Sequence, residues 1–356
     1  MSLINIISVP TSSGIKTIEI HNDDLTKLAW DIDVLVFSAF HNKYKPAPNT
    51  VIEALEKNKN IVIKDYALTP LIDLRDSLNC WVSNKIEYNN ISYLLCIEGL
   101  KTDIENNGNS DTSLSNLFGV LSILNHRGIT TNTVALPILG TGYQGNKIED
   151  VLPSLIEKAI YALNSISSLN TIYFVDIDSS RSELIDQVVN EKLKRNQDIL
   201  ELVFENEALT PLFDRIKQKL MQMKAGNEKF KDNQVIDILV TKILQKNLKF
   251  YELGILSRKL LEMIVQDIVP SKRLKGKTLY ESINELSSLH VAPWMTSYVH
   301  IIRVFGNSVA HYTEDAHFPK IMDRTDMLIF VHSLDKVLDF HANFKALNKG
   351  NNIPYV

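Results

Sequence analysis

Val134-Ala-Leu-Pro-Ile-Leu-Gly-Thr-Gly-Tyr-Gln-Gly-Asn146 is the stretch on which the reading of this chain turns. An apolar run, Thr133 to Leu139, reads as a buried strand. It breaks into Gly140-Thr141-Gly142-Tyr143-Gln144-Gly145. Ile148 to Asn164 then carries apolar residues at Val151, Leu152, Leu155, Ile156, Ala159, Ile160 and Leu163, the spacing of a helix. A strand feeding a helix through a glycine-rich turn lets main-chain N–H groups converge on an anion. The helix N-terminus adds the positive end of a dipole. Glycine suits such a turn because it adopts positive φ and lets a ligand approach the backbone. A tight strand-to-helix turn without a ligand uses the same glycines, so spacing alone leaves both readings open.

Working outward, strands alternate with helices. Ile15 to His21 alternates apolar and polar residues, and Asn22 to Leu28 is a turn entering a short helix or loop. Asp33 to Ala39 is nearly all apolar, as a central strand covered on both faces should be. Phe40 to Pro48 is a polar, proline-punctuated loop. Thr50-Val-Ile-Glu53 has capping-box spacing for a helix through about Lys57. Asn60 to Lys64 reads as a short strand, and Trp81 to Ile86 and Ile91 to Ile97 as neighbouring strands. A polar loop, Lys101 to Thr112, leads to a helix over Leu114 to Asn125. Thr171 to Ile177 is a last strand and Ser182 to Lys194 a last helix. This order predicts a mostly parallel or mixed sheet with helices on both faces. Ligands of such sheets lie at the carboxyl ends of the strands. That edge should gather Phe40 to Pro48, Gly140 to Gly145 and Asp176 to Ser180.

Residues 14–195 resemble a divergent macrodomain, the family of ADP-ribose-binding α/β modules. Pro137-Ile-Leu-Gly-Thr-Gly-Tyr-Gln-Gly145 is similar to the family's second phosphate loop. Ile18-Glu-Ile-His-Asn-Asp-Asp-Leu-Thr-Lys-Leu28 is similar to its opening strand and Asp-Ile-Thr turn. The resemblance implies a ligand such as ADP-ribose or a related adenine nucleotide, with Asp24, followed by Leu25, accepting from the adenine amine. It implies backbone contacts from Leu139, Gly140, Thr141, Gly142, Tyr143, Gln144 and Gly145, and a place at the same edge for Asp176. The first ligand loop departs from the family. Val36-Phe-Ser-Ala-Phe-His-Asn42 replaces an Asn-Ala-Ala-Asn segment, and Phe40 stands where hydrolytic members have the Asn that handles the distal ribose. No glycine occurs between Gly14 and Gly99. ADP-ribosyl hydrolysis of the macrodomain type is therefore the alternative function, and a binding site the first. His41 and Asn42 are candidates for the distal end of the ligand.

From about Arg195 the strands disappear. Leu209 to Met223, Val235 to Leu244, Tyr251 to Val269, Leu279 to Ser287, Trp294 to Val309 and Phe318 to Phe344 read as helices, which predicts an all-α bundle. Lys224 to Asn233 reads as a linker, and Ser271 to Lys277 as a basic solvated loop. The expected division is a macrodomain-like domain over 1–195, a linker and connecting helix over 196–233, a helical domain over 234–345 and a tail over 346–356. Within Ile301-Ile-Arg-Val-Phe-Gly-Asn-Ser-Val-Ala-His311, Asn307 and His311 lie four apart and share a helix face. With Arg258-Lys-Leu-Leu-Glu262, this resembles HEPN-related helical domains, in a branch of unknown function. Ribonucleases of that family carry an Arg a few residues before a His. Here Gly306, Phe305 and Val304 occupy the usual places and Arg303 lies just beyond them. Arg303, Asn307 and His311 are thus candidates for a second alternative, a ribonuclease. The competing reading is that Asn307 and His311 fix helix packing.

Composition bounds the rest. At 356 residues two domains are expected. The net charge of −4 does not suit coating nucleic acid, which stays a disfavoured partner. Two cysteines, Cys80 and Cys96, indicate a reducing compartment, and no metal site is expected from so few ligands. Met1 to Pro10 lacks the features of a signal peptide, and no run has membrane-spanning length. A cytoplasmic protein with no required cofactor is expected. The HEPN resemblance implies a homodimer or larger assembly. Bacterial fusions of nucleotide-sensing modules to helical effectors resemble antiviral or stress signalling systems.

Overall fold

The structure, a computed structural model, describes residues 2–11, 14–86, 90–99, 110–141, 145–195, 202–205, 209–310 and 324–350. It divides into a first unit, Met1–Lys194, and a second, Arg195–Val356.

The first unit is built from β1 (Ser2–Thr11), β2 (Gly14–Asn22), β3 (Ile32–Phe40), α1 (Val51–Lys59), α2 (Ile63–Leu68), β4 (Ile72–Leu74), β5 (Cys80–Val82), β6 (Ile91–Gly99), α3 (Ser110–His126), β7 (Thr133–Pro137), α4 (Ile148–Ser165), β8 (Thr171–Asp176) and α5 (Ser182–Lys192). Eight strands form one sheet in the order β1-β2-β8-β7-β3-β6-β5-β4. The run from β2 to β6 is parallel throughout. β1 joins β2 antiparallel, and β5 and β4 extend the other edge antiparallel. The sheet is therefore mixed. Val34 and Val36 pack into the core shared with α3, α4 and α5, whereas Leu35 and Phe37 pack into the opposite core with α1 and α2. Alternate residues of one apolar strand thus serve two cores, and the unit has three layers.

Two local devices fix the helices. Thr50 accepts from Glu53 N at 3.2 Å and caps α1, as its spacing predicts. Lys16 of β2 is buried and donates to Leu163 O at 2.8 Å and Ile166 O at 2.7 Å, satisfying carbonyls at the carboxyl end of α4. Burial alone holds the Lys16 ammonium below its ordinary pKa.

Two expectations for this unit need correction. Asn60 to Lys64 is not a strand; helix α2 begins at Ile63 and buries Ile63 and Ala67 one turn apart. In Trp81 to Ile86 the regular strand ends at Val82, and Ser83 N and Ile86 N reach Leu94 O and Ser92 O of β6 by single hydrogen bonds. No expectation covered β1. Its pairing shifts register between Leu3 and Asn5, which breaks the alternation a strand would otherwise display.

The second unit is all helical: α6 (Thr210–Gly226), α7 (Gln234–Gln245), α8 (Phe250–Ile268), α9 (Leu279–Asn284), α10 (Pro293–Ala310) and α11 (Arg324–Gly350). α8 is its centre, buried at every position from Phe250 to Arg258. Lys242 of α7 and Glu252 of α8 form a buried ion pair at 2.6 Å. Asp335 of α11 receives Lys219 of α6 at 2.7 Å and Arg215 at 3.2 Å. The expected linker at 224–233 is instead a packed turn, because Phe230 is buried and Asn227 donates to Asp267 of α8 at 3.0 Å. The last helix continues to Gly350 in place of a tail from 346.

Candidate functional site

The parallel strands place their carboxyl ends on one edge of the sheet. β7 lies between β8 and β3 in that order, so its following loop emerges between the ends of Asp176 and Phe40. Gly140 has φ +89° and Gly145 φ +67°, so both need the left-handed region that glycine adopts freely. Asn146 N donates to Gly140 O at 3.2 Å and closes the loop on itself. Thr141 is anchored by its hydroxyl, which donates to Ile138 O at 2.8 Å. A side chain added at Gly145 would meet no atom within 4 Å, so this rim of the loop is open. Leu139 is buried and offers only its backbone. Gly142, Tyr143 and Gln144 lie outside the described residues. Helix α4 is a poorer anion end than its sequence position promises, because Glu149 and Asp150 occupy its first turn.

Two large apolar side chains flank this loop. Phe40, at the end of β3, is 48% exposed, and Ile177, just after β8, is 75% exposed. Asp176 does not face a ligand. Its carboxylate is buried, meets Arg181 Nη2 at 2.6 Å and accepts from Asp178 N at 2.9 Å. It holds the turn that presents Ile177. Leu25 is likewise buried and offers no side chain.

Asp24 does reach this edge, because Asp23 N donates to Asp176 O at 3.1 Å. Its carboxylate is occupied, however. Oδ1 accepts from Thr26 N at 2.9 Å and Thr26 Oγ1 at 2.7 Å; Oδ2 accepts from Asn58 Nδ2 at 3.1 Å and pairs with Lys27 Nζ at 3.1 Å. Burial pushes this carboxyl up, but the Thr26 and Lys27 interactions outweigh it and leave it below its ordinary pKa. An amine can be accepted there only by displacing Asn58 or the exposed Lys27.

A second cluster was not foreseen. Glu98, one residue before the end of β6, is buried. His41 Nδ1 lies 2.9 Å from its Oε2, Asn42 N donates to Oε2 at 3.2 Å, and the Tyr44 hydroxyl donates to Oε1. Arg75 donates to the Tyr44 oxygen at 3.3 Å and pairs with Asp73. Burial and the Glu98 carboxylate push the Tyr44 phenol well above its ordinary pKa. The signal in the sequence is slight: one carboxylate closing the run Tyr93-Leu-Leu-Cys-Ile-Glu98. Cys80 and Cys96 are buried thiols, Cys80 pushed up to about 12 by burial, and neither suits nucleophilic chemistry.

In the second unit, Arg303 Nε lies 3.4 Å from His300 Nδ1 and its guanidinium 5.2 Å from the Tyr280 ring centroid. The Asn307 side-chain oxygen is buried and has no hydrogen-bond partner among the described residues. Arg258 is buried and meets Glu262 at 3.3 Å. His311 lies outside the described residues. Among those residues no group of three His, Cys, Asp or Glu could hold a metal ion, and no helix is long and apolar enough to cross a membrane.

Comparison with known proteins divides along the same line. Residues 241–350 match a domain family described as a domain of unknown function, DUF4145. The fold is similar to the Oceanobacillus iheyensis macrodomain solved with ADP, at 13% identity and a TM-score of 0.41, over 53% of this chain and 97% of that one. It is similar to the Trypanosoma brucei macrodomain in complex with ADP-ribose, at 14% identity and a TM-score of 0.39, over 53% and 74%. Thermosipho africanus DarTG in complex with ADP-ribose is similar at 12% identity and a TM-score of 0.32, over 50% and 47%. No curated protein matches the chain.

Proposed function

We propose that the first unit binds an adenine nucleotide of the ADP-ribose kind and that the helical unit is the oligomerisation or effector half of a nucleotide-responsive protein. The observation that carries this reading is the glycine loop after β7, open at Gly145 and flanked by exposed Phe40 and Ile177. Loop amides suit a diphosphate, and the apolar walls suit a base and the face of a sugar. Adenine is read by Asp24 once Asn58 or Lys27 gives way. Phe40 offers no hydrogen bond, which supports binding over ADP-ribosyl hydrolysis. The helical unit exposes Trp294 and Val304 on α10 and Leu328 and Ile329 on α11, apolar surface suited to a second copy or a partner. A HEPN-type ribonuclease built on Arg303, Asn307 and His311 is an alternative to this reading, and a role in antiviral or stress signalling its further reach.

The test is calorimetric titration of the full chain with ADP-ribose. Gly145→Asp puts a carboxylate at the open rim, in a left-handed position that Asp and Asn tolerate. It should weaken binding at least about tenfold through repulsion of the diphosphate. Gly145→Asn, of the same shape and no charge, should bind nearly as the parent does. Equal affinity of all three proteins, or no binding by the parent, refutes the proposal. Mass measurement with and without ADP-ribose tests the assembly.

A further inference from the structure

The basic stretch Ser271 to Lys277 has no task in the function proposed above, and the structure divides its charges. Arg273 donates to Ser288 Oγ, and Lys277 pairs with Glu285. Lys272 and Lys275 are exposed and make no ion pair among the described residues. Of these two, Lys275 lines a cavity of about 520 Å³ within the helical unit. Small-molecule sites span about 300–1,000 Å³, so the volume suits one ring-sized ligand.

The cavity lies where the last turns of α8 meet the turn Glu228–Phe230 and the one-turn helix Ser271–Leu274. Its apolar part is fixed. Phe230 is buried, and Met263 Sδ accepts from Asn233 Nδ2 at 3.0 Å. Leu274, half-buried, adds a third apolar wall. Its polar part is fixed as well. The Asp267 side chain is 2% exposed, accepts from Asn227 Nδ2 at 3.0 Å and lies 2.9 Å from His341 Nε2. Its other oxygen meets Lys229 Nζ at 2.9 Å, while the Lys229 side chain is 67% exposed. A buried carboxylate thus holds one ammonium group at the cavity wall.

Charge decides what the cavity takes. Lys229 and Asp267 offset one another, and Lys275 leaves an excess of one positive charge. The carboxyl end of α8 opposes it with only a partial negative charge. Two lysines repel a cation and attract an anion. The Ser271 hydroxyl and the Gln266 amide also line the cavity, make no side-chain hydrogen bond among the described residues and can donate to an anion. A bare inorganic ion would leave the apolar walls unused, whereas a ring gains by covering them.

We propose that this cavity is a second ligand site of the protein and takes a small organic anion, with the charge at Lys275 and Lys229 and a ring-sized apolar body against Phe230, Met263 and Leu274. The site lies wholly within the helical unit, so it stands or falls apart from nucleotide binding by the first unit.

Carboxylates and phosphate monoesters share this chemistry, and the probes separate them. The full chain is titrated with benzoate and with phenyl phosphate, and the Met263 methyl signal is followed by NMR. Benzamide is the neutral counterpart, and inorganic phosphate is the ion without a body. The signal should shift saturably with at least one aryl anion, and the tighter of the two names the class. Benzamide and inorganic phosphate should each bind at least about tenfold more weakly. Lys275→Glu should weaken the aryl anion at least about tenfold. Lys272→Glu makes the same charge change outside the cavity and should alter affinity less than about twofold, because exposed charges are screened. No saturable shift in the parent overturns the proposal. So does equal affinity of the two lysine variants, or binding of benzamide or inorganic phosphate as tight as that of the aryl anion.

Discussion

Replacing Gly306 by alanine should destabilise the helical unit, although alanine is the better helix former. Gly306 lies inside α10 where it crosses α8. A Cβ built there would stand 2.7 Å from Arg258 Cβ and 2.9 Å from Gly254 O. Carbon contacts are comfortable at about 3.5–4.0 Å, so roughly 1 Å must be found. Neither neighbour is the tip of a flexible side chain: one is the root of Arg258 and the other is backbone. The helices themselves must part, loosening the packing around Leu256, Leu260 and Ile302. Overpacking of this kind costs about 3 kcal/mol, and the helix propensity of alanine returns about 1 kcal/mol. A net loss of about 2 kcal/mol corresponds to roughly 4–8 °C in Tm for a unit of this size. Gly119, in the exposed middle of α3, has no atom within 4 Å of its virtual Cβ. The same substitution there should raise stability by about 1 kcal/mol. Hydrogen exchange followed on peptides from α8 and α10, alongside scanning calorimetry of the full chain, measures both variants. A Gly306→Ala protein as stable as the parent, with protection of α8 unchanged, would refute the reasoning.

Other outcomes follow from single contacts. Glu252→Ala strands Lys242, whose ammonium lies 2.6 Å from a fully buried carboxylate, and should cost about 3–5 kcal/mol in chemical denaturation. The double variant Lys242→Met, Glu252→Leu should return close to the parent; a double as damaged as the single would show that the pair is not the cause. Asp24 has a folded-state pKa below its unfolded value, so its contribution is present above about pH 4 and lost as pH falls through the lower, folded value. Asp24→Asn should therefore be less stable than the parent at pH 7, with the gap closing towards pH 3. A gap that stays constant between those two pH values counts against this account of the Thr26 and Lys27 bonds.

The stretch from Val134 to Asn146 announced a strand, a turn and a helix because each depends on neighbours in sequence. Apolar continuity marks burial on both faces, glycine marks positive φ, and a period near 3.6 marks one buried helix stripe. The same local rules placed β3, the Thr50 cap and helix α8, whose signals lie within a turn or on any apolar surface. What they could not convey is pairing between distant residues. β1 carries a register shift, and its buried Asn5 donates to Asp186 and Asn190 of α5. Asp24 looked free because the Asn58 amide that fills its carboxylate belongs to α1, 34 residues away. Glu98 fell just outside the expected strand, Ile91 to Ile97, and its partner Asn42 is 56 residues off. Nothing in the local sequence marks Gly306 as the point where α10 meets Arg258 and Gly254 of α8. Periodicity records whether a side chain is buried; only the folded chain specifies what it is buried against, and hydrogen bonds and steric contacts depend on that partner.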